Sequence, residues 1–175
     1  MGLDLVRTLK RELRGWRQVA ILGLGNEFGG DDASGLIAAR KARQVIPDGM
    51  WGVEILETGL APENFTGALR KLHPSHVVLI DSAEMGEKAG HIKVINPTEI
   101  EELIFSTHSL PLSTLAQYIE RELGAKVIIL GIQPKEMSFG NEVSPEVGDS
   151  VNELAVVLRE SLYRKEFYRK GSSCA

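Results

Sequence analysis

A chain of 175 residues, 43% hydrophobic and 25% charged, has room for one domain with a full core but not for two of ordinary size. A net charge of −4 lacks the basic face that nucleic-acid binding needs. No apolar run approaches the roughly 18 residues of a membrane span, which leaves a soluble protein as the expectation.

From the amino end, residues 3–15 place Leu5, Val6, Leu9 and Leu13 on one helical face. Arg7, Lys10 and Arg11 interrupt that segment, so it lacks the unbroken apolar stretch of a secretory signal. The run at 18–23 predicts a strand covered on both faces. A helix is expected over 32–45, a strand over 53–57 and a short helix over 63–72. Val77-Val78-Leu79-Ile80 marks a third, buried strand within 76–81, and 91–95 a fourth that ends at Asn96-Pro97. A helix over 112–123, a strand over 127–130 and an amphipathic helix over 151–163 complete the series. Strands alternating with helices imply an α/β fold with a mostly parallel sheet. The expected division is an amphipathic helical extension at 1–17, one α/β domain at 18–165 and a polar tail at 166–175. The single cysteine, Cys174, falls in that tail; it excludes an internal disulfide and fits a reducing cytoplasm.

The stretch GLGNEFGGDDASG (23–35) follows the first strand, where a nucleotide-binding protein places a glycine loop for phosphate. Phe28 stands where the dinucleotide fingerprint has its third glycine. Glu27, Asp31 and Asp32 would oppose a pyrophosphate by an amount on the order of several kcal/mol in a dry crevice, so the loop suits a cation better. Helix capping accounts for one of the paired aspartates, and a site role stands open for the other, Asp32. Asp81 follows an apolar strand, where a carboxylate is either paired or used. If the first and third strands are neighbours, Asp32 and Asp81 flank one crevice at the switch point of the sheet. Among four histidines, His73 and His76 sit at the far end of the third strand and His91 on an edge. His108 precedes a helix start marked by Ser109 and Pro111, where a neutral imidazole is favoured and can ligate a metal. Each of these residues also has an ordinary reading as a cap or a loop residue.

Taken together, GLGNEFGGDDASG, ETGLAPENF (57–65), LIDSAEMG (79–86), GHIKVINP (90–97), STHSLPLSTL (106–115) and LGIQP (130–134) resemble the [NiFe] hydrogenase maturation endopeptidases, in particular the branch that processes hydrogenase 3-type large subunits. The resemblance implies a three-layer α/β/α sandwich around a mixed, mostly parallel five-stranded sheet. It implies an endopeptidase that removes the C-terminal extension of the large-subunit precursor after nickel insertion. The metal ligands carried over are Asp32, Asp81 and His108, with Asp32 and Asp81 catalytic and Asp81 the expected base. Asn26, Asp31, Glu57 and Gly59, within the matching stretches, are candidates for supporting the ligands or touching substrate. Many relatives have glutamate in place of Asp32, glycine in place of Ala33 and aspartate in place of Glu57. Nickel would come with the substrate rather than reside in the protein, and a cytoplasmic monomer is expected. The sequence carries no G-x-S-x-G nucleophile motif. The alternative is an accessory protein that senses nickel or binds the large subunit without cutting.

Overall fold

The computed structural model describes residues 2–46, 52–96 and 111–163, together with the backbone of 104–105. His108 and the tail 166–175 lie outside the described residues.

The elements in chain order are α1 (Gly2–Glu12), β1 (Val19–Leu24), a 3-10 turn (Gly30–Ala33), α2 (Ser34–Val45), β2 (Val53–Gly59), a second 3-10 turn (Pro62–Phe65), α3 (Thr66–Leu72), β3 (His76–Glu84), β4 (Ile92–Ile95), β5 (Ile104–Phe105), α4 (Leu112–Leu123), β6 (Lys126–Ile132) and α5 (Pro145–Leu162). The sheet order is β2-β1-β3-β6-β4, and β5 adds an antiparallel pair to the end of β3. The pairs β1–β2, β1–β3 and β3–β6 are parallel, and β4 runs antiparallel to β6. The expected three-layer sandwich with a mixed, mostly parallel sheet is the observed architecture.

Strand alternation divides the core in two. Val19, Ile21, Val78, Ile80, Ile128 and Leu130 face one layer, where they meet residues of α1, α2 and α5. Ala20, Leu22, Leu24, Val77, Leu79 and Ile129 face the other, where Leu69 of α3 and Leu115 and Ile119 of α4 close over them. Both faces being covered explains why β1 and β3 read as continuous apolar runs.

α1 packs on α5 and β4, with Leu9 and Leu13 inside the same core cluster as β1 and β3. Its end is fastened by Lys126, whose Nζ donates to the Glu12 carbonyl (2.7 Å) and carboxylate (2.8 Å). That hydrogen bond holds the Glu12 carboxyl below its ordinary range.

α2 starts directly on the sheet. A Cβ on Gly35 would lie 2.2 Å from the Ile80 carbonyl oxygen and 2.5 Å from that of Leu24, so only glycine allows this approach. The first turn of α2 therefore sits across the carboxyl ends of β1 and β3. The chain leaves β1 for β2 on one side and later returns to β3 on the other, which makes this junction the switch point of the sheet.

Among the boundaries that differ from the expectation, three bear on the site. The helix after the glycine loop begins at Ser34, with Asp31 and Asp32 in the preceding 3-10 turn. Asp81 lies inside β3, opposite Gly131, because β6 continues to pair with β3 beyond the point where β1 ends. α5 begins at Pro145 rather than 151, with Pro145 in its first turn.

Candidate active site at the end of the first and third strands

Asp32 is 8% exposed, and its carboxylate is fixed from two directions. The Asn26 N–H donates to Oδ2 (3.2 Å), and the Ser82 hydroxyl donates to Oδ1 (3.0 Å). Each oxygen keeps a second lone pair beyond these bonds. Gly25 makes the arrangement possible: its φ is 122°, and a Cβ there would fall 1.8 Å from the Asp32 carbonyl oxygen. The glycine loop thus wraps around the backbone of Asp32 instead of clearing a cradle for phosphate. Gly59 joins the same loop, accepting at its carbonyl from the Gly25 N–H (3.2 Å).

Asp81 is fully buried, and its Oδ1 accepts from the Ser82 N–H (2.8 Å). Alternation puts Asp81 on the α3–α4 face with Leu79 and Ala83, and Ser82 on the α2 face with Ile80. Ser82 therefore links the two carboxylates at the end of β3, its hydroxyl donating to Asp32 and its N–H to Asp81. No group of three or more His, Cys, Asp or Glu side chains is gathered for a metal among the described residues, and the third expected ligand, His108, lies outside them.

Asp31 has a different occupation. Neither it nor Asp32 caps α2, whose N-cap residue Ala33 makes no side-chain cap bond. The fully buried Asp31 carboxylate accepts from the N–H groups of Lys135 (2.8 Å), Glu136 (3.1 Å) and Ser144 (2.7 Å) and from the Ser144 hydroxyl (2.9 Å). It ties the glycine loop to the segment between β6 and α5. Ser144 would ordinarily cap α5; its hydroxyl is engaged by Asp31 instead, and the helix has no side-chain cap.

Glu57 is bound on the outer side of α2. Arg40 Nη2 (2.9 Å) and Arg43 Nη1 (2.8 Å) both donate to its carboxylate, and Arg40 also reaches Glu27 (3.1 Å). The bonds from Glu57 and then Glu27 hold the Arg40 guanidinium above its ordinary value. Glu57 thus braces β2 and the glycine loop through arginine. His76, 7% exposed, sits at the start of β3 with its Nδ1 3.1 Å from Ser75 Oγ, at the opposite end from Asp81, as expected.

Sequence reasoning passed over Ser82 and Gln133. Ser82 is adjacent to a singled-out aspartate, yet its role depends on a contact fifty positions away in the chain. Gln133, in the LGIQP stretch, is 3% exposed and accepts at Oε1 from Met85 N–H (2.7 Å) and Glu87 N–H (3.2 Å). It fixes the path of the chain leaving β3. A buried amide in an otherwise apolar run is the signal that could have found it.

A family model described as "HycI: Hydrogenase maturation protease" matches residues 37–160, a span that begins shortly after Asp32 and includes Asp81 and His108. A putative hydrogenase maturation protease of Methanocaldococcus jannaschii is 35% identical over 158 residues, 85% of this chain and 93% of that protein. The hydrogenase 3 maturation protease of Escherichia coli K12 is 36% identical over 132 residues, 75% of this chain and 82% of that one. Among solved structures, the [NiFe] hydrogenase maturation protease HycI from Thermococcus kodakarensis superposes with a TM-score of 0.80 at 29% identity, covering 89% of this chain and 98% of its own. The solution structure of the endopeptidase HycI from E. coli gives 0.70 at 34% identity, with 81% and 89% covered. With the switch-point carboxylates and this agreement in sequence and fold, the chain belongs to the hydrogenase maturation proteases and is an endopeptidase.

Proposed function

We propose that this endopeptidase removes the C-terminal extension of a [NiFe] hydrogenase large-subunit precursor once nickel has been inserted. Nickel belongs to the substrate and is read by Asp32, Asp81 and His108. Membership in a family of proteases decides against a non-cleaving accessory role. The observation that carries the reading is the Asp32 carboxylate, nearly buried at the switch point and held by Asn26 and by Ser82, the residue next to Asp81.

Two carboxylates and an imidazole suit a divalent first-row ion and leave positions for thiolates of the precursor. Nickel in the precursor supplies the positive charge that draws its tail to the site, so an unloaded precursor binds weakly. For hydrolysis, a carboxylate of the site accepts a proton from water as the water oxygen bonds to the scissile carbonyl carbon. The C–N bond then breaks, and the proton passes to the departing amine. No covalent acyl-enzyme is involved. A single cysteine in the chain accords with work in a reducing cytoplasm.

The test is incubation of nickel-loaded and nickel-free precursor with the wild type and with Asp32→Ala. The expected result is shortening only of loaded precursor, and only by the wild type. Equal cleavage of unloaded precursor would overturn the nickel gating, and cleavage by folded Asp32→Ala at the wild-type rate would remove Asp32 from the site.

A further inference from the structure

Beside the carboxylates, three large apolar side chains are exposed: Phe28 at 63%, Met137 at 42% and Phe139 at 82%. They come from two segments distant in sequence, the glycine loop and the loop between β6 and α5. The rings of Phe28 and Phe139 lie 6.2 Å apart at a tilt of 47°.

Their backbones are firmly held although their side chains are exposed. The Gly140 N–H donates to the Phe28 carbonyl (2.8 Å), and the Asp31 N–H donates to that of Glu136 (3.0 Å). The Glu136 carboxylate accepts from the Ser138 hydroxyl (3.0 Å) and from Asn141 Nδ2 (2.9 Å), which braces the loop from within. The four bonds to Asp31 described above fasten its two ends. A fixed backbone presenting uncovered aromatic rings loses little conformational entropy when a partner docks.

The patch connects to Asp32 on both sides. Met137 Sδ lies 3.6 Å from Ser82 Oγ, which donates to Asp32 Oδ1. The Phe28 N–H donates to Asn26 Oδ1 (3.1 Å), and the Asn26 N–H donates to Asp32 Oδ2. The patch therefore adjoins Asn26 and Ser82, the two residues that hold the Asp32 carboxylate. A second copy of the chain seated here would obstruct the site, whereas a polypeptide being cut must pass over it.

We propose that Phe28, Met137 and Phe139 form the surface that receives a large apolar side chain of the polypeptide substrate, a few residues from the bond that is cut. Contiguity with Asp32 sets that distance. The chemistry sets the class: two aromatic faces and a polarizable thioether accept an aliphatic or aromatic group and offer a carboxylate or amide no hydrogen-bond partner. The inference rests on the reading that Asp32 belongs to the cleavage site, and it adds how the peptide is selected there.

The experiment measures cleavage of nickel-loaded precursor by the wild type, Phe28→Ser, Phe139→Ser and the double variant. Expected are unchanged melting temperatures, since these side chains are exposed, and a KM raised about tenfold in the double variant with kcat within about twofold. Leucine at both positions should recover most of the lost affinity. An unchanged KM in the double variant, with the wild type active, overturns the inference and leaves the proposed function standing. Normal cleavage by Asp32→Ala sinks the proposed function instead. In that case binding of intact precursor to the double variant decides the patch, since undiminished binding overturns it and a loss of about tenfold supports it. A wild type that dimerises at assay concentration, and becomes monomeric in the double variant, would make the patch a self-contact and also overturn the inference.

Discussion

Two neighbouring aspartates with the same chemistry have separate tasks because their surroundings differ. Asp31 is fully buried, and each of its oxygens is supplied with N–H or O–H donors, Oδ2 by Lys135, Glu136 and the Ser144 hydroxyl and Oδ1 by the Ser144 N–H. Burying a carboxylate is tolerable only with such charge-assisted bonds. An amide in its place must direct its NH₂ group at one of these donors. Asp31→Asn is therefore expected to cost about 2–3 kcal/mol of stability at neutral pH. A urea denaturation midpoint equal to that of the wild type would contradict the role assigned to Asp31. Asp32, by contrast, receives one donor on each oxygen, which leaves each oxygen with a lone pair for the proposed role. At this scale local sequence marks the pair, and the resemblance singles out Asp32, but neither names the partners of Asp31. The four donors from residues 135–144 do that.

Among elements, the contact between α2 and the sheet decides where Asp32 stands. Alanine in place of glycine in an ordinary helix is favourable by roughly 1 kcal/mol. At Gly35 the added Cβ would meet two backbone carbonyls, Ile80 at 2.2 Å and Leu24 at 2.5 Å, and backbone cannot step aside as a side chain can. Overpacking of this kind costs about 1–3 kcal/mol and outweighs the propensity gain. Gly35→Ala is thus expected to lower the melting temperature and, by lifting the first turn of α2, to slow cleavage. A rise in melting temperature would show that the helix does not rest where the structure puts it. The strands β1 and β3 were legible because burial on both faces leaves unbroken apolar runs. The first turn of α5 was not, since Gly148 and Asp149 interrupt the apolar pattern and the helix start is defined by Pro145 and by Ser144's bond to Asp31.

Across the whole molecule, the N-terminal helix is part of one of the two cores. Leu9 has no exposure and belongs to the same cluster as Val19, Ile80 and Leu158, and α1 covers α5 and the β4 side of the sheet. Leu9→Ala should cost about 3 kcal/mol. Thermal or urea unfolding that monitors the sheet would measure it; a loss confined to helix signal, with the sheet unchanged, would mean that α1 is an independent appendage. The amphipathic period at 3–15 announced a face to be buried, and only the assembled layers name what buries it.

By itself the sequence determined the alternation of strands and helices, the two-faced burial of the central strands, and the spaced stretches by which the chain resembles its family. These follow from local periodicity and residue type, which need no knowledge of distant neighbours. The tertiary structure alone decided the order β2-β1-β3-β6-β4, the joining of Asp32 to Ser82, the assignment of Asp31 to the loop before α5 and the pairing of Phe28 with Phe139. Each of those joins residues far apart along the chain, and such contacts are selected by how two cores close around one sheet rather than by any local pattern.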